Sequence, residues 1–138
     1  MAQKLITKPI IDALAKTPYR STENVAPDDK KVIARFFGGC ACTWYVLEDD
    51  SFFKDYKTDE KTGLLVPTSL DADHIEPNMT VFGAATLGHG LELGPFSLKE
   101  IGAIHFPPFG LGLERDIMVT PLKETLGELR KRYGEEWM

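Results

Sequence analysis

The residues best suited to chemistry are four carboxylates. Glu114 and Asp116 flank Arg115, and on a strand both acids project to one face while Arg115 points to the other. Glu48 and Glu92 each lie in a stretch of strand-like composition. Gathered together, Glu48, Glu92, Glu114 and Asp116 would offer an all-oxygen site to a hard divalent cation, the core of a metal-dependent phosphodiesterase-like enzyme. The plainer reading is that Arg115 pairs with a neighbouring acid and the rest line a solvated face. No lysine or histidine stands at a diagnostic spacing beside them.

Other patterns carry less. Gly110-Leu111-Gly112 lacks the third glycine and the strand-before, helix-after setting of a dinucleotide loop. A phosphate-loop lysine, a nucleophile elbow and paired histidines on a helix turn are all missing. His89 sits between two glycines, where a solvent-facing turn residue is the ordinary outcome. Cys40 and Cys42 are too close for a disulfide framework, and His74, His89 and His105 are scattered without ligand spacing. The sequence therefore calls for no cofactor and no metal. Phe52, Phe53 and Tyr56, set among Asp49, Asp50 and Asp55, form a candidate partner-binding patch, although the plainer reading is that these aromatic residues pin the loop to the body. Arg130-Lys131-Arg132 sits where a helix C-terminus favours cations.

The elements that must position these residues follow from periodicity and punctuation. Thr7 can cap a helix whose apolar face is Ile10, Ile11, Leu14 and Ala15, and Thr17-Pro18 stops it. Tyr19 to Lys30 reads as a polar loop. Val32 to Phe37 and Thr43 to Glu48 read as an antiparallel hairpin turning at Gly38-Gly39. Simple alternation groups Val32, Ala34 and Phe36 on one face of the first strand, and Trp44, Val46 and Glu48 on one face of the second. Residues 49–79 form a long excursion with room for a short hairpin of its own. Thr80 to Leu87 and Leu91 to Leu93 give a second hairpin through Gly88-His89-Gly90, and the small residues Gly83, Ala84 and Ala85 require something bulky against them. Ser97 and Glu100 form a capping box with Phe96 and Ile101 as its hydrophobic staple, so a short helix begins there. A last strand ends near Val119, and Thr120-Pro121 opens a terminal helix with the stripe Leu122, Leu126, Leu129 and Tyr133.

The chain of 138 residues suits one domain, residues 1–138, with the excursion at 49–79 and a C-terminal helical extension at 120–138. The excursion holds eight acids against three bases, and so carries the whole net charge of −5. Such a balance gives no general affinity for phosphate backbones, which disfavours nucleic acid as a partner; a weaker reading keeps it through the terminal basic residues. No apolar run approaches bilayer length and the first residues lack a signal-peptide pattern, so the expectation is a cytoplasmic location without membrane contact.

Taken in order, Lys4-Leu5-Ile6-Thr7-Lys8, Lys31 to Phe37, Thr43-Trp44-Tyr45-Val46 with Glu48, Phe82-Gly83, Glu92-Leu93-Gly94, Phe96-Ser97-Leu98 with Glu100, and Leu113-Glu114-Arg115-Asp116 resemble a family catalogued as a domain of unknown function, small proteins of plasmids, phages and integrative elements. The excursion and the tail after Val119 look like additions to the usual pattern. The resemblance implies a compact domain carried by mobile DNA and supplies no catalytic residue. By analogy with small acidic proteins of such elements, it also suggests binding to a host defence complex.

The expectations are thus an α+β fold, an antiparallel sheet of about five strands with an N-terminal helix, a short capped helix after the fourth strand and a C-terminal helix, the helices lying on one face and at the chain ends. The leading functional expectation is a non-enzymatic protein-interaction domain of a mobile genetic element that inhibits a host nucleic-acid-targeting defence complex. The metal-dependent phosphodiesterase-like enzyme is the alternative.

Overall fold

The computed structural model of the protein describes residues 6–18, 20–39, 41–50, 56–58, 60–61, 65–67, 80–104 and 112–138. Five strands form one antiparallel sheet: β1 (Ala34–Phe37), β2 (Thr43–Asp49), β5 (Thr80–Thr86), β6 (Glu92–Ser97) and β7 (Glu114–Arg115). Their spatial order is β6-β5-β2-β1-β7. Two short strands within the excursion, β3 (Tyr56–Thr58) and β4 (Leu65–Pro67), pair antiparallel as a separate hairpin. Three α-helices complete the described residues: α1 (Lys8–Lys16), α2 (Leu98–Gly102) and α3 (Leu126–Arg132). The arrangement is α+β.

The helices cover both faces of the sheet. On the first face Ile10, Ala13 and Leu14 of α1 and Leu98 and Ile101 of α2 pack with Ala34, Phe36, Trp44, Val46 and Val81. On the second face Leu126 and Leu129 of α3 pack with Val32, Tyr45, Leu47, Ala84 and Leu91. All seven residues of β2 are buried as a result. The small residues of β5 make this possible, because Trp44 lies across from Ala85 and Tyr45 across from Ala84.

Local chemistry explains the boundaries. Ser97 Oγ accepts from the Glu100 amide at 3.2 Å, the N-cap bond of α2, and Phe96 and Ile101 join the same core cluster as a staple should. Thr7 occupies the N-cap position of α1 with extended backbone, but its side chain makes no capping bond. The terminal helix starts at Leu126, not near Thr120. Its N-cap is Thr125, whose hydroxyl accepts from the Glu128 amide at 3.2 Å and donates to the Glu128 carboxylate at 3.1 Å. Residues 120–125 are diverted from the helix because Leu122 lies at φ +62° and its amide donates to the Val32 carbonyl at 2.9 Å. Leu122 consequently packs with the first cluster and not with the α3 stripe.

Two departures from simple alternation decide which face each polar residue meets. A bend at Ile33 places Val32 in the second cluster while Ile33 and Ala34 both join the first. In β2, Val46 pairs with Gly83 and Glu48 with Phe82, so Leu47 is the extra residue of a β-bulge. The bulge turns Glu48 onto the face of Tyr45 and Phe82, away from the Trp44–Val46 face that alternation predicts.

The bulge also brings backbone close to Gly83, where a Cβ would stand 1.8 Å from the Tyr45 carbonyl oxygen. Gly83→Ala is expected to cost about 3 kcal/mol or more in chemical denaturation, as overpacking of a rigid core does. Gly94→Ala, on β6 with nothing within 4 Å of the added methyl, should stay within about 0.5 kcal/mol of the parent.

Candidate functional site

Two polar clusters stand on the second face of the sheet. In the first, Arg35 of β1 and Tyr45 of β2 are register partners and their side chains lie side by side. Arg35 Nη1 meets Asp116 Oδ2 at 3.2 Å, Nη2 meets Glu135 Oε1 at 3.2 Å, and Nε donates to the Tyr45 hydroxyl at 3.3 Å. Its guanidinium carbon lies 3.7 Å from the Tyr133 ring centre, 5.4 Å from Phe37 and 5.7 Å from Tyr45. An aromatic cage of this kind holds a planar cation by its π faces while the carboxylates hold its edge. The Tyr45 hydroxyl donates to Glu135 Oε1 at 2.6 Å and the Tyr133 hydroxyl to Asp116 Oδ2 at 2.6 Å.

The electrostatics follow from this burial. Desolvation, reinforced by the hydrogen bond to Glu135, pushes the Tyr45 hydroxyl far above its ordinary value, so it remains a donor. The bond to Asp116 and then burial raise Tyr133 as well. One guanidinium faces two carboxylates, an excess of one negative charge. Glu135 Oε2 is buried and has no hydrogen-bond partner. Beside the cage lies an open cleft of about 590 Å³, lined in part by Thr43, Thr86, His89, Glu136 and Trp137.

The second cluster is built on Glu48. Its Oε1 accepts from the Arg20 amide at 2.9 Å and its Oε2 from the Thr22 amide at 3.0 Å and from the Thr22 hydroxyl. Lys30 Nζ approaches Oε2 at 3.9 Å and donates to the Thr22 carbonyl and hydroxyl, with both ionic side chains buried. A carboxylate receiving the amides of Arg20 and Thr22, two residues apart, fixes the turn at Arg20, which lies at φ +64°. Above it a cleft of about 470 Å³ is lined by Arg20, Glu23, Val25, Asp50, Phe82 and Leu93, among others.

A third contact joins residues far apart in the chain. Arg130 grips Asp28 through Nε and Nη2, both at 2.7 Å, and the Trp137 indole donates to Asp28 at 2.9 Å. The Arg130 guanidinium holds Asp28 down at about 2, below the ordinary 3.8, against the upward push of desolvation.

The four carboxylates of the metal reading do not come together. Glu48 and Asp116 belong to the separate clusters above, and Glu92 and Glu114 are exposed on β6 and β7 at opposite edges of the sheet. Four strand spacings put those two about 19 Å apart. Among the described residues no group of three or more His, Cys, Asp or Glu could hold a metal ion. Of the partner-binding patch, Phe52, Phe53 and Asp55 lie outside the described residues, and Tyr56 contributes backbone to β3. Asp49 is buried, and Asp50 is half-buried with its carboxyl raised by burial and by the Asp49 and Glu48 charges. His89 lies at the rim of the cage cleft. The basic run divides, Arg130 binding Asp28 and Arg132 binding Glu124.

The cage itself was not foreseen from the sequence. Its signal was Arg35, a charge between Ala34 and Phe36 on an otherwise apolar strand, which demands buried partners.

Comparison with known families matches residues 5–128 to DUF2958, described as a protein of unknown function, and the chain belongs to that family. The match spans the excursion and extends into α3, farther than the pieces quoted above. No curated protein and no solved structure matches the chain. Asp28, Arg35, Tyr45, Glu48 and Asp116 lie within the matched span, and Tyr133, Glu135 and Trp137 lie after it.

Two outcomes test this geometry. Arg35→Met leaves Asp116 and Glu135 buried without their cation, and should cost about 3–5 kcal/mol in equilibrium denaturation. For Asp28, the unfolded carboxyl titrates near 3.8 and the folded one near 2. Its contribution is therefore complete above pH 4 and fades as the pH falls towards 2. The Tm gap between the parent and Asp28→Asn should be constant from pH 7 to about 4.5 and close between pH 4 and 2.

Proposed function

We propose that this chain is a non-enzymatic protein-interaction domain of a mobile genetic element, and that its role is to bind and disable a host complex that targets nucleic acids. The observation that carries the reading is a group of exposed apolar side chains at the β5–β6 hairpin. Leu87 is 63% exposed, Leu93 41% and Met138 69%. They line one cleft of about 440 Å³ together with Trp44, Phe96 and Ile104. Large apolar side chains collected around one cleft favour a partner that removes them from water.

Two further features point the same way. The cage and the Glu48 cluster spend their ionisable groups on internal bonds, as a structural framework does. The net charge of −5 opposes direct competition for phosphate backbones, so interference with a nucleic-acid-targeting complex is read as contact with its protein. The mobile-element setting rests on the resemblance alone.

The test is capture from host lysate by the parent chain and by a Leu87→Asp/Leu93→Asp variant of unchanged circular dichroism. Both substitutions are at exposed positions and should leave stability within about 0.5 kcal/mol. The parent should retain components of a nucleic-acid-targeting complex and the variant should lose them by tenfold or more. Equal capture by the two chains, or none by the parent, would sink the proposal.

A further inference from the structure

The segment that ends at Met138 is held against the sheet as a bound peptide is held. The Leu91 amide donates to the Glu136 carbonyl at 2.8 Å, and the Met138 amide donates back to the Leu91 carbonyl at 3.1 Å. Leu91 and Trp137 thus form a parallel bridge at the start of β6. Backbone pairing of this kind with alternate side chains read in flanking sites is peptide recognition by strand addition. Gly90, at φ +108°, permits the approach, since a Cβ there would lie 2.8 Å from the Met138 Cα. On one side Glu135 enters the clamp made by Arg35 Nη2 and the Tyr45 hydroxyl, at 3.2 and 2.6 Å. On the other the Trp137 indole reaches Asp28, with the Arg130 guanidinium carbon 5.8 Å from its ring centre.

Two observations mark this occupant as an imperfect one. Glu135 Oε2 is buried with no hydrogen-bond partner, so the clamp binds one carboxylate oxygen and leaves the other unserved. The cleft of about 590 Å³ is bounded both by the sheet residues Arg35, Thr43 and Thr86 and by the segment residues Glu135, Glu136 and Trp137, so the segment does not fill the space it covers.

We propose that the groove of Asp28, Arg35, Tyr45 and Leu91 is a binding site for an extended peptide of a partner protein that carries a carboxylate two residues before an aromatic side chain. Residues 134–138 are its resident occupant and are displaced when the partner binds. All four groove residues lie in the span shared with the family, while the occupant lies after residue 128. The buried Tyr45 hydroxyl and the Arg35 guanidinium select a carboxylate, and Asp28 selects an indole or another donor on the aromatic. The segment also supplies Met138 to the apolar cleft beside β6, and the Leu87→Asp/Leu93→Asp variant tests that cleft without touching the groove.

The experiment titrates an acetylated synthetic peptide of residues 133–138 into the full parent chain and into a full-length Glu135→Gln/Trp137→Ala variant. The peptide should bind the variant at least tenfold more tightly than the parent, whose own segment competes. A peptide with glutamine in place of Glu135 should bind the variant at least tenfold more weakly. Equal affinity for the two chains, equal affinity of the two peptides, or no binding would overturn the proposal. Should the variant not fold, hydrogen exchange in the parent decides. The Leu91 amide should exchange at least tenfold faster than the slowest amides of the β2–β5 ladder and should slow on saturation with peptide; failure of either overturns it. A parent chain that dimerises at the same concentration, with peptide splitting the dimer, would assign the groove to a second copy's segment and overturn the partner.

Discussion

The constraint on which the structure depends is that β2 has no solvent-facing side. Every polar group it carries must find a partner inside the protein, because an unpaired buried charge or hydroxyl costs more than the strand's own pairing returns. Glu48 and Tyr45 share that obligation with Thr43, Trp44 and Asp49. Glu48 is met by the Arg20 and Thr22 amides and by Lys30, and so draws the whole 20–30 loop onto the second face. The Tyr45 hydroxyl is met by Arg35 and Glu135, and so draws the chain after α3 onto the same face. The irregular segments are therefore not appendages to a finished sheet. They are the sources of hydrogen bonds that a doubly covered central strand requires.

This explains which parts of the protein were legible in the sequence. Wherever local chemistry decides the outcome, the reading holds: the Ser97 N-cap, the two hairpins, the helix from Lys8 to Lys16 and the antiparallel α+β arrangement all rest on residues close together in the chain. Tertiary partners decide the remainder. Thr120-Pro121 is a sound helix start in isolation, and it yields to the pairing of Leu122 with Val32 and to the stronger Thr125–Glu128 box. Helices on one face were expected, and α3 on the second face is what buries β2 completely.

The candidate site was the least legible part for the same reason. Alternation places Glu48 with Trp44 and Val46, and a single extra residue at Leu47 reverses it. No local rule announces a bulge, whose presence depends on the partner strand. Of the four carboxylates that looked most chemical, Glu92 and Glu114 lie at opposite sheet edges and Glu48 and Asp116 in separate clusters, whereas the groups that meet are Arg35, Tyr45, Asp116, Tyr133 and Glu135. Their charges serve cohesion within the second face.

The bonds that close the second face have a kinetic consequence. Arg35 and Glu135 are 100 residues apart in sequence, and Asp28 and Arg130 are 102 apart. Contacts of such long separation form late, because the entropy of closing a large loop is lost before the contact compensates for it. During synthesis, Val32, Tyr45 and Leu47 emerge from the ribosome well before Leu126 and Leu129 exist to cover them. A half-built protein with one bare sheet face is a substrate for chaperones and prone to self-association.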